Sequence, residues 1–424
     1  MTAAAGLASN ALLARLLSPQ EFGAYFLAFS LVMFGALVVG SGGLGLAVVR
    51  FIAESVGLNQ LGRARRVVGT AFVLGVLGAS GLGAAYWLFG DILGGNLFDS
   101  PALVAVTGLV AGWIAVMTLQ NLVAEIFRGF HDIRLATIFG GLVTGVLLTS
   151  SLGVLWFARG QATLATILLL AVSSGLASAL LASWFLRRKV ASLPRGGAEG
   201  QIGVKEVLSL SWPLLMASLA FYALTQADIW VLGAFRSKEE VAVYGATVRL
   251  VALLSMPLLI VNAVTPPLIA EMYARGEKRE LERTIRTVAT LASIPAFPVL
   301  VGFILVGGPI LGLVYGDYYR EGATVLAVLS MGQLTTFWSG SCGMLLNMTG
   351  HQYASMVITA LSALAALTIG LTTVNDLGML GVALGSFSGL ALQNVAMVAY
   401  TRRVVSIKPN VGLPLKLRRG RPSR

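Results

Sequence analysis

Apolar runs of about 20 residues recur from one end of this chain to the other, the length an α-helix needs to cross the hydrocarbon core of a bilayer. The runs show no alternation of apolar and polar residues, which excludes a closed barrel. Helices are then the only backbone able to satisfy its own hydrogen bonds in lipid. Composition agrees: 57% of the 424 residues are hydrophobic and 11% are charged, too few charges to cover a water-soluble domain of this size. The expected fold is an all-α, multi-pass membrane protein.

About twelve spans are expected, near 3–17, 22–48, 67–89, 102–124, 135–157, 163–186, 207–233, 242–268, 287–306, 322–346, 355–374 and 378–400. The first run begins at Met1 and is short, so either the true start lies upstream or that helix is incomplete. Of the 30 Lys and Arg residues, 24 fall in alternate connections and the tail after 400, and five in the opposite loops. The positive-inside rule then places the richer set, with the C-terminus, in the cytoplasm. Confinement of the +12 net charge to loops and tail argues against nucleic acid as a partner. Cys342 has no second cysteine with which to form a disulfide or a metal site.

A repeat organises these spans. Ser18, Glu21 and Tyr25 return as Ser237, Glu240 and Tyr244, "IAE" at 52–54 as "IAE" at 269–271, and "ILG" with Asp99 as "ILG" with Asp317. The two histidines, His131 and His351, keep the same offset to within three residues. Six spans per half is an even number, so the halves are expected to be parallel repeats: six-helix bundles over 1–190 and 205–403, a linker over 191–204 and a basic tail over 404–424. Ser18-x-x-Glu21 and Ser237-x-x-Glu240 each match the capping box that opens a helix.

The stretches "ARLLSPQEFGAYFLAFSL" (14–31), "QADIWVLGAFRSKEEVAVYGATVRLVALLSMPLLIVNAVTPPLIAEMYARGE" (226–277) and "PILGLVYGDYYREGATVLAVLS" (309–330) resemble the polysaccharide-transporter, or oligosaccharide flippase, family. The resemblance extends over residues 1 to about 403, and 226–277 is its most specific part. The family shares a superfamily with lipid II flippases and multidrug-and-toxin extrusion transporters. The resemblance implies a V-shaped pair of six-helix bundles in a bacterial cytoplasmic membrane. It also implies export of undecaprenyl-pyrophosphate-linked oligosaccharides by alternating access, without enzymatic chemistry.

Such a cargo needs a wet cavity lined by cations and hydrogen-bonding groups, since an unpaired charge in lipid is costly. In the family the first, second, seventh and eighth spans line it. Arg249, the basic residue well inside a span, is the first candidate, with Asp228 as its partner or its structural counter-ion. Arg15 and Arg50 could hold phosphate or snorkel to an interface; Gln226, Asn262 and Asn10 could bond sugar hydroxyls or neighbouring helices. Glu125 is expected to pair locally with Arg128, and the histidines to sit in solvated turns. A coupling ion, Na+ or H+, and membrane lipids complete the expected partners. No metal-ligand spacing or nucleophile–base pair stands out, and no cofactor is expected. The rivals are export of cationic drugs, which would favour acidic cavity residues, and an integral-membrane glycosyltransferase or polymerase, which would need a large catalytic loop.

Overall fold

The computed structural model describes residues 2–194 and 204–409; the rest of the linker, 195–203, and the tail from 410 lie outside the described residues. All regular elements among them are helical. The chain opens with α1 (Thr2–Leu16), α2 (Pro19–Ala36), α3 (Gly43–Gly57) and α4 (Leu61–Ile92). After the single turn α5 (Pro101–Val104) come α6 (Thr107–Gly129), α7 (Ile133–Thr137), α8 (Val143–Arg159) and α9 (Leu164–Ala191). Then follow α10 (Val204–Phe235), α11 (Lys238–Val251), α12 (Met256–Ala274) and α13 (Lys278–Tyr315). The chain closes with α14 (Ala323–Ser339), α15 (Cys342–Met348), α16 (Gln352–Leu377) and α17 (Met379–Tyr400).

Local chemistry explains many of the ends. Ser18 and Glu21 form a complete capping box at the start of α2, with Pro19 in the first turn where its missing N–H costs nothing. Glu21 reaches further and accepts from Leu164 N at 3.1 Å, tying the start of α9 to the start of α2. The second copy caps differently. Ser237 accepts from Glu240 N at 3.4 Å, but the Glu240 carboxylate takes the Arg236 guanidinium at 3.0 Å. Inside α13, Val306 leaves helical geometry, three residues before Pro309, whose ring displaces the preceding turn.

Ten segments among the described residues are long and apolar enough to cross a membrane. The two expected spans outside that set are the first and the tenth. α1 has only 15 residues, and the tenth is broken at Gly340 (φ +63) into α14 and α15. Many of the long helices bury little of themselves in protein: Phe157 and Leu305 are 84% and 75% exposed. In water such faces would aggregate; in a bilayer they are simply solvated by acyl chains.

Two compact units emerge, Met1–Ala246 with Val314–Gly316, and Thr247–Leu313 with Asp317–Arg424. Their division falls inside α11 rather than at the polar linker, because α10 packs on α2 and α3. In the first unit, Val48 and Ile52 of α3, Val67 of α4, Ile126 and Phe127 of α6 and Leu186 of α9 share one core. In the second, Ile269 of α12, Ile285 of α13, Leu345 of α15 and Val398 of α17 share another. The GxxxGxxxG run of α17 packs within its own unit. A Cβ on Gly381 would lie 2.6 Å from Thr373 O, and one on Gly385 2.6 Å from Ala366 O, so α16 and α17 touch backbone to backbone. The "GLVTG" echo at 141–145 serves otherwise: Gly141, at φ +149, breaks the helical path between α7 and α8.

Candidate translocation site

The second span of the first unit is not one helix. Its sequence "GSGGLG", 40–45, places four glycines in six residues, and each weakens the helix it sits in. α2 passes through a π-helical turn at Leu37–Ser41 and stops at Gly42 (φ −83, ψ −116), and α3 restarts at Gly43. The glycines also allow contacts no larger residue could make. A Cβ on Gly40 would lie 2.8 Å from Thr118 O of α6, and Gly43 sits against Ser211 O of α10. Gly45 sits against Gly40 O, and a Cβ there would be 3.1 Å from Cγ of Glu125. The break is thus clasped between α6 and α10.

Thr118, Asn121 and Glu125 stand on one face of α6, at i, i+3 and i+7. Glu125 is 6% exposed. Its Oε1 accepts from Nη1 of Arg128, the local pair expected, while Oε2 is buried with no hydrogen-bond partner. Beside it Gln120 donates through Nε2 to Phe139 O and to Thr144 Oγ1, both at 2.9 Å, across the Gly141 break. The sequence carried a signal for these positions, namely polar residues inside an apolar run.

On the other side of α2, Ser30 receives Tyr222 Oη on its carbonyl at 2.6 Å and Trp230 Nε1 on its hydroxyl at 2.8 Å. Phe34 packs against both rings. Asp228, also on α10, accepts from Tyr244 Oη at 2.7 Å and from Ile229 N at 2.9 Å. Tyr244, the tyrosine of the second repeat copy, is fully buried and holds that carboxylate. Gln226 is half-buried two residues before Asp228.

The remaining candidates are dispersed. Arg249 is half-buried on α11, just inside the second unit. Arg50 is exposed and lines a cavity of about 350 Å³ with Glu54, Arg63, Glu206 and Ser209. Arg15 is exposed in the last turn of α1, and Asn10 donates to Gly6 O of its own helix at 2.7 Å. The Asn262 side chain lies outside the described residues. His131 is exposed in a left-handed turn, whereas His351 is half-buried, against Thr349 Oγ1 at 3.2 Å and the Tyr400 ring. A second cavity, about 640 Å³, is lined by Phe98, Asp99 and residues 233–240.

In the second unit the polar interior centres on Asn394 of α17. Its Oδ1 accepts from Ser339 Oγ at 2.7 Å, and its Nδ2 donates to Thr335 and Thr336, each at 3.1 Å. This network stands at the Gly340 break.

Among the described residues no group of three His, Cys, Asp or Glu converges as a metal site would require. Broken apolar helices with polar interiors, packed into two compact units, define a multi-pass helical membrane protein. The chain belongs to the polysaccharide biosynthesis protein family, whose model matches residues 12–324. It is 21% identical over 247 residues to a protein of Haloferax volcanii described as the probable low-salt glycan biosynthesis flippase Agl15; the match covers 56% of this chain and about half, 52%, of that relative. Its fold is similar to that of an inward-facing multidrug resistance MATE family transporter (TM-score 0.79, 17% identity, 96% of this chain and 95% of that one). It is similar also to the lipid II flippase MurJ in an inward closed conformation (TM-score 0.74, 14% identity, 95% and 86%).

Proposed function

We propose that this protein is the flippase for undecaprenyl-pyrophosphate-linked oligosaccharides, exporting them across a bacterial cytoplasmic membrane for cell-surface polysaccharide assembly. The observation that carries the reading is Arg249, a basic residue within the apolar stretch Lys238–Leu258 of a chain from a polysaccharide family. Its planar guanidinium suits the two phosphates of such a cargo, because it donates parallel hydrogen bonds. Asp228 compensates that charge between substrates, and the pyrophosphate competes for it during transport. Gln226, Asn262 and Asn10 serve sugar hydroxyls, and Arg15 and Arg50 attract the anion at the two membrane faces. The halves act as parallel repeats that open alternately, coupled to an inward flow of Na+ or H+. The loops richer in Lys and Arg, with the C-terminus, face the cytoplasm.

The test is glycan export in a strain lacking the chromosomal gene and complemented with variants at matched expression. Arg249→Ala abolishes or strongly reduces export, and Arg249→Lys restores only part because the fork is lost. Wild-type export by the neutral pair Asp228→Asn with Arg249→Gln would reduce Arg249 to a structural partner. Undisturbed glycans with lost resistance to cationic drugs would move the substrate class to drugs.

A further inference from the structure

Glu125 has a chemistry that neither the fold nor pyrophosphate binding calls for. It lies in the apolar helix Thr107–Gly129, 6% exposed, with one carboxylate oxygen on Arg128 and the other enclosed without a donor. A structural ion pair would be expected to satisfy both oxygens, since a buried, half-satisfied carboxylate is among the costliest arrangements in a protein. Arg128 is itself half-exposed, so its side chain can exchange the carboxylate for water.

The charged groups on the neighbouring elements are paired with other residues or exposed. On α3, Arg50 is exposed and Glu54 pairs with Arg63 of α4 at 3.3 Å. On α4, Arg65 donates to Leu193 O at 2.9 Å and Arg66 is exposed. Lys189 of α9 pairs with Asp132 at 2.8 Å, and Arg188 stacks on Trp184. Arg187, Arg134, His131, Lys205 and Glu206 are exposed. Arg128 is the charge that acts on Glu125.

The surroundings of the lone oxygen are also particular. Gly45 follows directly on the Gly42 break, and a Cβ there would meet Glu125 Cγ at 3.1 Å. One and two turns earlier on the same face, Asn121 and Thr118 O abut Gly40, on the other side of that break. A carboxylate whose stem rests on α3, carried by a helix face that also meets the glycine on the other side of the break, feels a change in the angle there, and its charge state alters the cost of each arrangement.

We propose that Glu125 binds and releases a proton during the transport cycle, making the Gly40–Gly45 break a proton-coupled hinge. With the proton on, the carboxyl carries no charge to be enclosed, and Arg128 is released to solvent. With the proton off, the carboxylate recaptures Arg128 on its own helix, and the enclosed charge raises the cost of packing α6 against the break. The proposal rests on the transporter reading for its purpose, but its first test, chemical labelling, needs no substrate.

Full-length protein in detergent is treated with the apolar reagent dicyclohexylcarbodiimide, across which the O–H of a protonated carboxylic acid adds, and adducts are mapped by mass spectrometry. The expected result is an adduct on Glu125 that falls several-fold from mildly acidic to alkaline pH and does not change when Na+ replaces K+. No adduct on Glu125 at any pH at which the protein stays folded overturns the proposal. Suppression of the adduct by Na+ at fixed pH also overturns it, assigning the carboxylate to a metal cation. In proteoliposomes, Glu125→Gln removes the response of transport to an imposed pH gradient while thermal stability stays near wild type. A retained response overturns the coupling role. Loss of glycan transport in the wild type, with the pH-dependent adduct intact, would instead count against the substrate assignment alone.

Discussion

The two units each contain an interrupted span, and they secure the interruption by opposite means. In the first, the break at residues 37–42 is closed by glycines pressed against the carbonyls of Thr118 and Ser211, and a carboxylate with one unsatisfied oxygen stands beside it. In the second, the break at Gly340 is stitched by Asn394 to Ser339, Thr335 and Thr336, a neutral network in which the amide uses both its oxygen and its nitrogen. Backbone groups freed inside a membrane must be satisfied by protein or by water. At the first break the π-turn bond from Gly42 N to Leu37 O, 2.8 Å, does this; at the second Gly340 N bonds Thr336 O at 3.0 Å, and the amide–hydroxyl network adds directional side-chain bonds beside it. A neutral network holds its geometry whatever the pH; a half-satisfied carboxylate loses the penalty of its enclosed charge when it takes up a proton.

The strongest way to break this comparison is a single methyl group. Gly43→Ala drives a Cβ into Ser211 O and within 2.8 Å of Leu215 Cβ, so a helix must move, at a cost of about 3 kcal/mol or more. A fall in detergent melting temperature and loss of transport are expected. Gly340→Ala meets Ala289 Cβ at 2.8 Å and is strained at φ +63, and it is expected to cost about 1–3 kcal/mol. Equal tolerance at the two positions would undo the contrast.

Next in size, Asn394→Leu keeps the branching at Cγ but removes the bonds to the buried Ser339 and the half-buried Thr335 and Thr336 hydroxyls, at a cost of about 2 kcal/mol. Thermal unfolding of the variant measures it.

The smallest effect sharpens the difference between a charge inside and a charge at the rim. Asp132 caps α7 and is held below its ordinary carboxylate value of 3.8, chiefly by the hydrogen bond from Lys189. The lowered value means that the pair's stabilisation is present above that value and is lost as pH falls through the folded one. Lys189→Met is therefore expected to cost less than about 1 kcal/mol at neutral pH, with the difference from wild type vanishing only in strong acid. Melting temperatures compared across pH check it.

The sequence by itself determined the class, the helical backbone and several boundaries, since span length and the Ser18–Glu21 cap are local properties of the chain. It named the Glu125–Arg128 pair because residues three apart on a helix always face one another. It could not reveal that Oε2 of the same carboxylate is enclosed, that Tyr244 serves Asp228, or that the compact units part inside α11. In a membrane protein the faces turned to lipid and to protein are equally apolar, so the periodicity that marks a core-facing stripe in water is largely erased. Which helices abut is therefore left to packing. Only the tertiary structure, by pressing α3 onto both α6 and α10, decided which polar residues would be buried together.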